Sequence, residues 1–219
     1  MAERDTDPLM QEIEEELRQE QIQKLWKAYG NYIVGVAILV VAVVAGYQGW
    51  QTYERSTRQD ETARLVGAAQ QAEAGDTANA IESFSQIAGD GKTGVEIVAR
   101  LRAAALTAEK GDHAGALKMY ESVATDSDAP KSFQDLATLL GAAQALETGD
   151  AAGVIDTLAP LRADNHPLRH SAREYSAVAA IQAGDNAKAE EFLRAIALDG
   201  EAPGGIRSRA EELLQAIGK

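Results

Sequence analysis

The side chains best suited to bind a metal or to move a proton near neutral pH are three histidines, His113, His166 and His170. His166 and His170 stand four apart, a spacing that can set two imidazoles on one helix face, as a zinc site requires. Pro167, however, places His166 at or before the start of that helix, and no nearby cysteine or acidic partner completes a ligand set. The pair therefore reads as surface or capping histidines. Glu190/Glu191 and Glu211/Glu212 are ordinary solvated helix faces rather than an acid and its base. Gly89-Asp-Gly-Lys-Thr-Gly94 resembles a phosphate loop only superficially, because it lacks the spacing and the preceding strand. It reads as a turn. With no cysteine in 219 residues, disulfides, iron–sulfur clusters, thiolate zinc sites and thiol nucleophiles are excluded. No catalytic residue, cofactor site or metal site is expected.

The elements that must position any site are helical. Alanine is abundant, aromatics are 5% of the chain and prolines number five, a composition of helix packed closely on helix. A formal charge of −13 gives no electrostatic basis for binding nucleic acid and none for a general attraction to anionic lipid.

After residue 73 the chain repeats itself. Gly-Asp pairs begin at Gly75, Gly111, Gly149 and Gly184, a period of about 35 residues, which matches helix–turn–helix repeats of the tetratricopeptide class. In each, glycine ends a first helix in a left-handed conformation and aspartate caps a second one. Small residues follow at Ala80, Ala116, Val154 and Ala189, then an apolar stripe through Ile81, Leu117 and Ile155 to Phe84, Tyr120, Leu158 and Leu193. Seven residues before each glycine stands an alanine (Ala68, Ala104, Ala142, Ala177), the facing contact on the first helix. Pro130, Pro167 and Pro203 mark the joints. A single unit cannot bury its apolar face alone, so the units stack. Gly204–Ile217 is expected to cap the stack.

Before the repeats, no charged residue lies between Lys27 and Glu54. Asn31 to Trp50 has the length of a bilayer-spanning helix, with Trp26, Tyr29 and Tyr32 at one end and Tyr47, Trp50 and Tyr53 at the other, as aromatic belts require. The preceding segment is too long and too acidic for a cleaved signal peptide, so a signal-anchor is expected. Arg18, Lys24 and Lys27 before the span nearly balance Arg55, Arg58 and Arg64 after it, so charge alone does not orient it. The N-terminal segment is amphipathic, with Leu9, Ile13, Leu17, Ile22, Leu25 and Trp26 at helical spacing. It suits a docking helix or a solvated extension of the span equally well. Gln51–Glu73 has few breakers and is expected to run into the first repeat helix, holding the domain near the bilayer.

The fold class expected is therefore all-α: an N-terminal transmembrane helix followed by a tetratricopeptide-like helical-hairpin solenoid. The expected domains are an amphipathic tail (1–28), a transmembrane helix (29–51) and a repeat domain with its capping helix (52–219).

The tail from Glu14 to Gly30, running into one span and then degenerate repeats, resembles the YfgM-like bacterial inner-membrane proteins. That resemblance implies a cytoplasmic N-terminus, a periplasmic repeat domain, and association with the Sec translocon and a membrane-anchored periplasmic chaperone. The first helices lack the large aromatics of the tetratricopeptide consensus, which departs from a conventional peptide groove. The positions that would line the inner face are Val98, Leu101, Ala105, Leu136, Leu139, Leu146, Val178 and Ile181. Their aliphatic character suits a groove for an unfolded segment, and it suits packing on neighbouring helices more. The function expected is a non-enzymatic interaction module accessory to export, meeting translocon subunits, a chaperone or emerging polypeptides. The alternative is a cell-envelope scaffold in division or polymer assembly.

Overall fold

The structure is a computed structural model that describes the backbone of residues 6–90 and 94–218; the side chains of 6–25, 28–38, 55, 57 and 58 lie outside the described residues. Every regular element among them is helical. In chain order these are α1 (Thr6–Glu73), α2 (Thr77–Asp90), α3 (Val95–Glu109), α4 (His113–Ala124), α5 (Lys131–Thr148), α6 (Ala151–Thr157), a 3-10 turn (Ala159–Arg162), α7 (Arg169–Gln182), α8 (Asn186–Ala197) and α9 (Gly204–Ile217). The chain divides into two compact units, residues 1–57 and 58–219.

In the second unit the four Gly-Asp pairs make four copies of one turn. Gly75, Gly111, Gly149 and Gly184 have φ between 79 and 87°, a region that a side chain enters only with strain. The N–H of each glycine and of the following aspartate bonds back into the last turn of the helix before. Gly184 donates to the Ile181 carbonyl at 3.0 Å and Asp185 to that of Ala180 at 2.8 Å, the Schellman arrangement. Asp112, Asp150 and Asp185 then accept from the N–H of Gly115, Gly153 and Lys188, capping α4, α6 and α8. Each such cap contributes about 1 kcal/mol.

Packing follows one register. The alanines seven residues before each glycine are all buried. On the second helices, and in the third hairpin on the 3-10 turn that follows α6, bulky pairs three residues apart are buried as well: Phe84/Ile87, Tyr120/Val123, Leu158/Leu161 and Leu193/Ile196. They meet small residues of the next first helix, as where Phe84 and Ile87 share a cluster with Ala99 and Ala103, and Leu193 and Ile196 with Ala210 of α9. Every helix of the stack has its packing partners one or two places away along the chain.

The third unit departs from the regular second helix. Pro160 has no N–H to give to the Asp156 carbonyl, so α6 stops at Thr157 and the chain continues as a 3-10 turn. Arg162 covers the break. Its Nη1 donates to the Ile155 carbonyl at 2.6 Å and to Ser176 Oγ at 2.9 Å, and the guanidinium lies 4.8 Å from the Phe192 ring centroid.

The amphipathic tail (1–28) and the first part of the expected span, residues 29–38, fall largely or wholly outside the described side chains, and so do residues 91–93 of the glycine-rich turn. Among the described residues, no helix is long and apolar enough to cross a membrane. What is described of segment 29–51 is an exposed apolar run: Leu39, Val40, Val41, Val43, Val44, Tyr47 and Trp50, the last 72% accessible.

Candidate functional site

The eight inner-face residues fall at four register positions, 13, 10, 6 and 3 residues before the glycine of their unit. These positions share one stripe along the first helices. None of the eight is exposed. Leu139 and Leu146 are buried in the main core. Val178 and Ile181 pack half-buried against that core, and Leu101 against two smaller clusters. Val98, Ala105 and Leu136 are half-buried outside the apolar clusters. The fourth unit carries Glu174 in the stripe, clamped by Arg209 of α9 through Nε at 2.5 Å and Nη2 at 2.9 Å. The aliphatic strip is thus half-covered rather than an open groove, and Arg209 of the last helix binds into its fourth-unit end.

The histidines do not converge. His166 Nδ1 accepts from the Leu168 N–H at 3.1 Å, so its Nε2 carries the proton that meets Asp135 Oδ2 at 3.2 Å. Burial raises the pKa of the Asp135 carboxyl, but hydrogen bonds from Lys131 and His166 outweigh it and leave the group below its ordinary range. His170 Nε2 instead meets Asp199 Oδ2 at 2.8 Å, in a different joint. Among the described residues no three metal-ligating side chains come together.

The joints hold an ionic pattern that the sequence reading missed. Arg64–Asp90 at 3.3 Å, Arg100–Asp126 at 2.8 Å and Arg173–Asp199 at 3.9 Å are each 26 residues apart, linking a first helix to the end of its own hairpin. The signal was a constant offset: the arginine eleven residues before the glycine, the aspartate fifteen after it. In the third unit Thr138 replaces the arginine, and Asp164 pairs with Arg173 of the next unit. Asp199 is the densest node, also receiving Arg169 Nε at 3.3 Å. The Glu201 N–H and His170 hold its carboxyl at about 2 against an ordinary 3.8, with Arg169 adding to them and burial opposing. A folded pKa below the unfolded one stabilises fully above about pH 4. That contribution is lost as pH falls from about 4 to about 2. The stability gap between wild type and Asp199→Asn is therefore expected to narrow between about pH 6 and about pH 2, as read by denaturant midpoints at each pH.

A cavity of about 270 Å³ opens between α4, α5 and α6, lined by Leu117, Ala137, Gly141, Ala145 and Val154 among others. It is floored by small residues beside the shortened α6.

The family model of the tetratricopeptide repeat-like domain matches residues 56–137. The stack is a tetratricopeptide-like repeat domain. Among solved structures it is similar to nearly identical TPR-like repeats of a Podosopora anserina kinesin light chain, with a TM-score of 0.50 and 16% identity over 71% of this chain and 92% of that one. At that identity the likeness shows the fold alone. No curated protein matches the chain. Tetratricopeptide-like repeats serve as protein-interaction scaffolds, and their presence implies a protein partner.

Proposed function

We propose that this chain is a membrane-anchored protein-interaction module, accessory to the Sec translocon and to a membrane-anchored periplasmic chaperone, with its N-terminus cytoplasmic and its repeats periplasmic. The observation that carries the interaction role is the aliphatic strip repeated in register on the first helices, of which Val98, Ala105 and Leu136 are only partly buried and lie outside the core clusters. The anchor is supported by the uncharged segment 29–51 and by the exposed apolar run from Leu39 to Trp50. The export assignment is supported by the resemblance of Glu14–Gly30 to the YfgM-like tail. In this reading the partner or emerging polypeptide lays apolar side chains along the strip.

Pull-down of the detergent-solubilised full-length chain tests the reading. Wild type is expected to recover translocon or chaperone subunits, and Val98→Glu with Leu136→Glu to reduce that recovery about ten-fold at unchanged helicity. Recovery of neither class of partner by the wild type overturns the export role.

A further inference from the structure

The four hairpins share a seat for the helix that precedes them. Twelve and eight residues before each turn glycine stands a small pair: Ala99/Ala103, Ala137/Gly141 and Ala172/Ser176 in the second, third and fourth units, all buried. The second helix of the unit before covers each pair. At Gly141 the cover is direct, because an added Cβ would lie 3.3 Å from Tyr120 Cβ and 3.5 Å from Leu117 Cδ1 of α4.

The first unit has the same pair, Ala63/Gly67, identical in type and order to Ala137/Gly141. An added Cβ on Gly67 would meet nothing within 4 Å. Around it lies an open surface of α1 formed by Gln59, Thr62, Ala63, Val66, Gly67 and Gln70. Val66 is 50% exposed, and none of the six carries a charge in a chain that is 25% charged. The other end of the stack is closed differently. Seven residues before Gly218, where the four full units bury alanine, α9 carries exposed Glu211. A polar outer face is what a terminal repeat needs to stay unpartnered. At that position the C-terminal end is charged, whereas the α1 face sets Ala63, Val66 and Gly67 among the uncharged Gln59, Thr62 and Gln70.

We propose that the Ala63/Gly67 face of α1 is a docking site for an amphipathic helix of another protein, one carrying two bulky apolar residues three apart that occupy the place Tyr120 and Val123 take over Ala137 and Gly141. The interface continues one that the chain already uses between each pair of units, so the chemistry of the occupant is set by those repeats. A second copy of the chain is a poor source, because all four of its bulky pairs are buried inside its own stack. The proposal does not depend on the export role, and failure of the translocon pull-down leaves it standing.

The test uses the full-length chain in detergent and a fluorescent, helix-stapled peptide of the sequence from Asp112 to Asp126, which bears Tyr120 and Val123, read by anisotropy. The peptide is expected to bind wild type and to lose at least about ten-fold in affinity to Gly67→Glu, or when Tyr120→Ala and Val123→Ala are made in the peptide. Gly67→Glu meets open space on a helix, so its melting temperature is expected to match wild type. Absence of peptide binding, or binding that Gly67→Glu leaves unchanged, overturns the proposal. A concentration-dependent dimer of the wild type that Gly67→Glu abolishes also overturns it, by placing a second copy on the face.

Discussion

Leu193→Ala is expected to destabilise the repeat domain by about 2–5 kcal/mol, read as a fall in the urea midpoint with little change in slope. Leu193 is fully buried, and it shares its cluster with Ala177 of α7, Ile196 of α8 and Ala210 of α9. Truncation there removes contact with both neighbouring helices and leaves a cavity, since the short methyl groups of Ala177 and Ala210 cannot reach into the space. Leu198→Ala, five residues on, is the internal control. Leu198 is 85% exposed, and its loss is expected to change stability by less than about 0.5 kcal/mol. Similar costs at the two positions would show that α8 does not pack as described.

On the proposed anchored reading, Val40→Lys with Val44→Lys is expected to move the chain from the membrane pellet to the soluble fraction after alkaline extraction. Both valines are exposed on the same turn-spaced face of α1. At the centre of a spanning helix each lysine costs about 2.5–3.5 kcal/mol, and two together exceed what flanking aromatic anchors recover. Helicity of the repeat domain should be unchanged, because residues 1–57 form a separate unit. A wild-type chain found in the soluble fraction without detergent would sink the anchor.

Much of the stack was legible because its punctuation is local. A glycine that must enter the left-handed region and an aspartate that must cap the next helix are adjacent in the chain, so four Gly-Asp pairs mark four hairpins directly. The alanines seven residues before them report close helix contact by size alone. The third unit was less legible. Val154, Ile155 and Leu158 keep the apolar spacing of a full second helix, yet one missing N–H at Pro160 ends α6 after seven residues. The ionic joints were harder still, because Arg100 and Asp126 are 26 residues apart and neither stands out by type. Only alignment of the units on their glycines reveals the pairing. The spacing of the inner-face residues sets them on one stripe, but the depth of burial separating Leu139 from Leu136 depends on what neighbouring helices cover, which periodicity does not encode.

Because the packing partners of each helix lie one or two places along the chain, nothing near the C-terminus is needed to complete the first hairpins. Loop closure stays short throughout, which favours rapid ordering over a search for remote contacts. The domain can therefore assemble vectorially, each hairpin settling on the one already formed while the remainder is still being synthesised. During growth of the stack, the apolar face waiting for cover is that of the last hairpin formed.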